Sequence, residues 1–177
     1  MKLNVIVLSL LVASIYSNED LVKFLRDFNG KYVTLKSDIG NLAARCTDCA
    51  PAAYPDAFGV QVLISPAPVY AKFLVGHYEN GVTLQADTGN FVSRCNECWD
   101  YGLYPDSAFI HIDTPAGNPW AVWTPVHVNG KWAFRADSGE YLARCRDCAP
   151  DGSYPDLAFV HESNYSHPQA QWTVDVV

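Results

Sequence analysis

Two apolar residues alternate with polar neighbours at three places along the chain, and each place leads into a glycine-containing turn. Val33 and Leu35 precede SDIGN, Val82 and Leu84 precede ADTGN, and Trp132 and Phe134 precede ADSGE. Alternation at period two marks strands with one buried face, and the turn text marks hairpins. A second short strand follows each turn, from Leu42, Phe91 or Tyr141 to an Arg-Cys pair. A loop rich in Pro and Gly then ends at Tyr-Pro-Asp. The third strand starts at Phe58, Phe109 or Phe159, and the fourth carries Phe73, Trp123 or Trp172. Helical spacing is weak except over 21–28, where Leu21, Leu25 and Phe28 predict one turn against the base of the fold.

These elements repeat. Cys46, Cys95 and Cys145 are 49 and 50 residues apart, and Gly40, Gly89, Gly139, Arg45, Arg94, Arg144, Pro55, Pro105 and Pro155 keep step with them. The copies run over about 29–79, 80–128 and 129–177, with four strands in each. No such unit buries its own apolar face, so three must close a shared core around a pseudo-threefold axis. Val33, Leu35, Val82, Leu84, Trp132 and Phe134 are expected to point into that core with Phe73, Trp123 and Trp172.

The order GKWAFRADSGEYLARC followed by QWTVDVV, with its two sister copies, resembles the β-trefoil fold, and most closely its fascin-like branch. The resemblance implies an all-β chain of three pseudo-symmetric four-strand repeats. It does not extend to fascin function: fascins are cytoplasmic, carry several trefoils and bundle actin, whereas this chain carries one trefoil, paired cysteines and a leader. Ricin-type lectins resemble it less, because their last strand reads Gln-x-Trp where these tryptophans follow Ala-x. Kunitz-type trefoil inhibitors share neither the cysteine spacing nor the internal repetition.

Residues 1–17 read as a secretory signal peptide: Lys2, an apolar run from Leu3 to about Val12, then Ala13, Ser14 and Ser17 before an acidic start. The run is shorter than the roughly 20 residues of a membrane span, which leaves 18–177 as one secreted domain without a span. Loss of Lys2 changes the net charge from −7 to −8, with acids along the whole chain, which argues against nucleic acid as a partner. All six cysteines lie in C-x-x-C pairs. In an oxidising compartment the expected disulfides are Cys46–Cys49, Cys95–Cys98 and Cys145–Cys148, each contributing about 2 kcal/mol of loop entropy. A zinc half-site and a redox couple are the alternatives. Zinc needs two halves within reach, and threefold-related loops on a trefoil's flank are expected to stand apart; a redox couple needs a helix N-terminus, and this motif ends a strand. No metal and no cofactor are expected.

The candidate ligand-binding residues flank the cysteines: Arg45, Asp48 and Tyr54; Arg94, Glu97 and Tyr104; Arg144, Asp147 and Tyr154. Two readings stand. An Arg fork, carboxylates and a Tyr face on one rigid loop suit a hydroxyl-rich ligand, and three copies suit a repetitive one. Alternatively each Arg pairs with the acid of its own loop, the Asp of Tyr-Pro-Asp bonds nearby backbone, and Tyr packs over the disulfide. His77 and His127 occupy equivalent places, as do His111 and His161, with Val60 continuing the latter pair in the first copy. No serine-elbow, zinc-helix or phosphate-loop motif occurs, so no catalysis is expected. Asn164 in NYS is a candidate glycan acceptor. The expected function is non-catalytic binding of an extracellular glycan or glycoprotein. The rivals are a matrix or coat protein and a protease inhibitor acting through LISPAPVY or HIDTPAGNPW.

Overall fold

The computed structural model describes residues 19–49, 52–99 and 101–177. The expected signal peptide lies outside the described residues. A helix, α1, spans 19–28. Twelve strands follow: β1 (Tyr32–Lys36), β2 (Leu42–Thr47), β3 (Asp56–Val62), β4 (Phe73–Tyr78), β5 (Gly81–Gln85), β6 (Phe91–Asn96), β7 (Asp106–Ile112), β8 (Thr124–Val128), β9 (Lys131–Arg135), β10 (Tyr141–Arg146), β11 (Asp156–Glu162) and β12 (Thr173–Val176). Among the described residues no helix is long and apolar enough to cross a membrane.

Half of the strands close a ring. β1 pairs with β4, β4 with β5, β8 with β9 and β12 with β1, and the bridges Val82↔Trp123 and Trp132↔Trp172 complete the circuit. The hairpins β2–β3, β6–β7 and β10–β11 cap one end. Their second strands meet in a triangle through Ala57↔Phe109, Ser107↔Phe159 and Gly59↔Leu157.

The nine residues expected inside are all buried. Each cap hairpin slips register at one place, between Leu42 and Ala43, Phe91 and Val92, or Tyr141 and Leu142. At two of these bulges the carbonyl accepts an indole N–H: Trp123 Nε1 donates to Val92 O and Trp172 Nε1 to Leu142 O, both at 3.0 Å. A fully buried tryptophan needs such a partner, and the bulge supplies it. Phe73 fills the equivalent place in the first copy without a polar atom to satisfy.

Helix α1 is longer than the single turn expected, and its central plug is Phe24, which the stripe Leu21, Leu25, Phe28 passes over. Phe24 is fully buried, with its ring centroid 4.9 Å from that of Trp132 and 5.6 Å from that of Phe134. Spacing of three and four residues sets Leu21, Phe24 and Phe28 on one face. The helix is tied down by the backbone N–H of His127 donating to Asp20 Oδ2 at 3.1 Å.

The third strands correct two equivalences. Phe58 matches Ala108 and Ala158, whereas Phe109 and Phe159 match Gly59, as the pairings of Arg45, Arg94 and Arg144 with Phe58, Ala108 and Ala158 show. One residue of offset turns a side chain to the other face. Phe58 therefore packs in the ring against Phe73, while Phe109 and Phe159 join the cystines in a second core. By the same register Gln61, not Val60, stands in the place of His111 and His161.

Candidate functional site

Each cysteine pair closes on itself, with Cα atoms 5.6, 5.7 and 5.7 Å apart. Between the sulfurs the chain enters the left-handed region at Asp48, Glu97 and Asp147, with φ of 54°, 55° and 56°. Their backbone N–H groups donate to the carbonyls of Pro55, Pro105 and Pro155 at 2.8, 2.7 and 2.7 Å. That conformation leaves the three acidic side chains exposed.

The arginines pair elsewhere. Arg45 Nε and Nη2 grip Asp87 at 2.8 and 2.9 Å, and Nη1 reaches Asp56 at 3.2 Å. Arg94 grips Asp137 at 2.7 Å through both nitrogens and Asp106 at 2.9 Å. Arg144 grips Asp38 at 2.7 and 2.8 Å and Asp156 at 2.7 Å. The bidentate partner is always the turn aspartate of the next copy, with the third copy returning to the first. The other partner is the Asp of Tyr-Pro-Asp, which takes a guanidinium rather than the nearby backbone expected of it. Planar forks on carboxylates are the strong form of ion pair. These are also largely shielded, the arginine side chains being 14–21% exposed.

Two further links run in the same rotational sense. Ala53 N–H donates to Cys98 O at 3.0 Å, Leu103 to Cys148 at 2.8 Å and Ser153 to Cys49 at 2.6 Å, closing a ring of loops. Tyr54 stacks on His111 at 4.2 Å and Tyr104 on His161 at 4.4 Å, so these tyrosines cover the next copy's histidine rather than their own disulfide. The cystine loops thus meet around the axis instead of standing apart on the flank. Cys95, Cys98, Trp99, Phe109, Cys145, Cys148 and Phe159 pack there as the second core. The repeated motif is a three-way clasp between copies.

The clasp carries a pH dependence. Hydrogen bonds from Arg144, Arg45 and Arg94 hold the carboxyls of Asp38, Asp87 and Asp137 below the usual carboxylate range, against an opposing cost of burial. A depressed folded pKa gives stability that is complete above about pH 4 and lost as pH falls through the lowered values. Burial lowers His111 and His161, so the unfolded chain takes up their protons first, from about pH 6.5 downward, which has the same sign. The melting temperature should hold level above pH 7, decline gently below about 6.5 and fall steeply below about 4. A calorimetric pH series checks this, and a melting temperature that stays flat to pH 3 would contradict the clasp.

Shallow depressions mark the surface. One of about 350 Å³ sits between the first and second copies, lined by Tyr54, Arg94, Asn96, His111 and Trp120. Another of about 510 Å³ is lined by Glu97, Trp99, Leu103 and Tyr104. A third, of about 570 Å³, holds Lys36, Lys72 and the exposed Leu63 and Ile64 of LISPAPVY. Tyr54 and Tyr154 are 40% and 42% exposed. Asn164 is exposed, its Oδ1 accepting from Ser166 N and Oγ at 3.0 and 2.8 Å. Ser93 Oγ lies 2.9 Å from His111 Nδ1, but Ser93 is fully buried and out of a substrate's reach. Stacking and directional hydrogen bonding are what these surfaces offer. Sequence reading misses Asp38, Asp87, Asp137 and Trp120, although the three aspartates keep the same period as the arginines.

No family model and no curated protein sequence matches this chain. Solved structures do. The Polyporus squamosus lectin bound to a human-type influenza-binding epitope aligns at 12% identity and a TM-score of 0.60, over 84% of this chain and 49% of its own. This chain therefore spans about half of that lectin. The designed threefold-symmetric protein ThreeFoil aligns at 15% identity and a TM-score of 0.58, over 81% of this chain and 96% of its own. A salivary protein of the Cysteine and Tryptophan-Rich family from Culex quiquefasciatus aligns at 12% identity and a TM-score of 0.56, over 84% and 94%. At such identities the likeness establishes the fold, which is β-trefoil-like.

Proposed function

We propose that the chain is a secreted, non-catalytic, lectin-like protein that binds extracellular carbohydrate at the junctions between its copies. The observation that carries this reading is the tyrosine rim. At each junction Tyr54, Tyr104 or Tyr154 is held at the surface by a loop locked through its cystine, its arginine fork and its bond to the next loop. A rigid aromatic rim loses little freedom on binding, and sugar rings stack on such faces. Arg45, Arg94 and Arg144 serve the site by fixing that rim, and Asp48, Glu97 and Asp147 stand at its edge as acceptors. Three modest positions would add by avidity on a repetitive glycan. The likeness to a glycan-bound lectin supports the reading, and the cystines support an extracellular location. The fascin-like wording of the repeats is compatible with it, without actin as a partner.

A glycan and polysaccharide screen on the oxidised protein is the test. Binding to a defined subset, competed by the same soluble glycan, is expected. A folded protein that binds none would overturn the proposal. One observation favours the rival matrix or coat role: every repeated arginine is consumed internally, which durability alone would explain. That role requires self-association, visible by analytical ultracentrifugation.

A further inference from the structure

We infer that the depression between the first and second copies is the principal site, and that it takes a neutral pyranose rather than an acidic sugar. The inference rests on the carbohydrate reading above and narrows it to one junction and one ligand class.

Tyr54 of the first copy lines this depression with Asn96, His111 and Trp120 of the second. Its volume of about 350 Å³ is at the small end of the ~300–1,000 Å³ typical of small-molecule sites. Two aromatic side chains from different copies give it stacking surface. Its free polar atoms suit hydroxyl groups. Ser93 Oγ lies 3.3 Å from Phe109 O and 2.9 Å from His111 Nδ1. That second contact engages Nδ1 and leaves Nε2 to pair with a hydroxyl, which both donates and accepts. Asn96 Nδ2 donates to Asp106 at 2.8 Å, leaving its Oδ1 as an acceptor. Trp120 adds an indole N–H donor.

Charge decides the class. Arg94, among the described residues the one cation lining the depression, is shared between Asp137 and Asp106. Two carboxylates around one guanidinium leave that cluster net negative, and among the described residues no lining cation is free to receive a sugar carboxylate.

The sister junctions lack this set. Between the second and third copies Arg146 replaces Asn96, Ala143 replaces Ser93, and Gln169 replaces Trp120. That Gln169 is tied to Glu162 at 2.5 Å, and among the described residues His161 Nδ1 has no partner. Between the third and first copies, Thr47, Gln61 and Tyr70 stand in the places of Asn96, His111 and Trp120.

The copies themselves supply substitutions that the fold accepts: Trp120→Gln places the third copy's residue at this junction, and His111→Gln places the first copy's. On an array pairing neutral, terminally galactosylated, glucosylated, mannosylated and N-acetylglucosaminylated glycans with sialylated counterparts, each variant should bind neutral glycans at least tenfold more weakly while still unfolding in one cooperative transition well above the assay temperature. Gln169→Ala should stay within twofold of the parent. Neutral binding that survives both substitutions, or a preference for the sialylated members, would overturn this inference while leaving the carbohydrate reading intact. An absence of binding to any glycan by the folded parent would overturn both.

Discussion

Replacing Trp172 by alanine should cost about 3–5 kcal/mol of folding stability, read from urea unfolding midpoints. Its side chain is fully buried in the ring core, at the point where its backbone pairs with that of Trp132. Truncation leaves a cavity and also strips Leu142 O of its indole donor, adding an unsatisfied carbonyl to the lost packing. Trp172→Phe should cost much less, about 1–2 kcal/mol, because it restores most of the volume and fails only the hydrogen bond. Phe73 shows that the fold accepts that side chain in this place. An alanine loss below about 1 kcal/mol would mean that the strand register is wrong.

Arg144→Ala should be the most damaging change in the clasp. It removes a fork on Asp38 and a bond to Asp156, leaving two carboxylates facing each other with little solvent between them. Breaking a fully buried pair from one side costs about 3–5 kcal/mol; discounting for the partial exposure here, about 2–4 kcal/mol is expected. Arg144→Lys should recover only part of this, since an ammonium cannot engage Asp38 bidentately and reach Asp156 at the same time. The loss should shrink as pH falls through the lowered range of Asp38, where the carboxyl that the fork holds ionised takes up a proton. A loss under 0.5 kcal/mol, the size of an ordinary surface pair, would mean that the clasp holds nothing.

The repeat, the strands and the ring core were legible in the sequence because each follows from spacing. Val33, Leu35 and their counterparts announce their burial by alternation, and the fourth-strand aromatics announce theirs by recurring in step. Long-range partnership was not legible. Arg144 has Asp147 three positions away and finds Asp38 at a separation of 106. The near acid is withdrawn by a left-handed backbone, and the far one is delivered by closure of the ring. Phe58 misled for a related reason. Aligning it by identity with Phe109 and Phe159 hides a one-residue offset, and in a strand that offset exchanges one core for the other. Tyr54 and Trp120 lie in different copies, so only the closed fold places them around one depression.

The clasp between copies is most directly tested by a double-mutant cycle in urea unfolding. Arg144→Ala is combined in turn with Asp38→Ala, the partner from the first copy, and with Asp147→Ala, the acid of its own loop. Coupling of about 1–3 kcal/mol with Asp38, and additivity within about 0.5 kcal/mol with Asp147, is the predicted result. Coupling to Asp147 together with additivity toward Asp38 would show that the motif braces only its own loop, and would contradict the account.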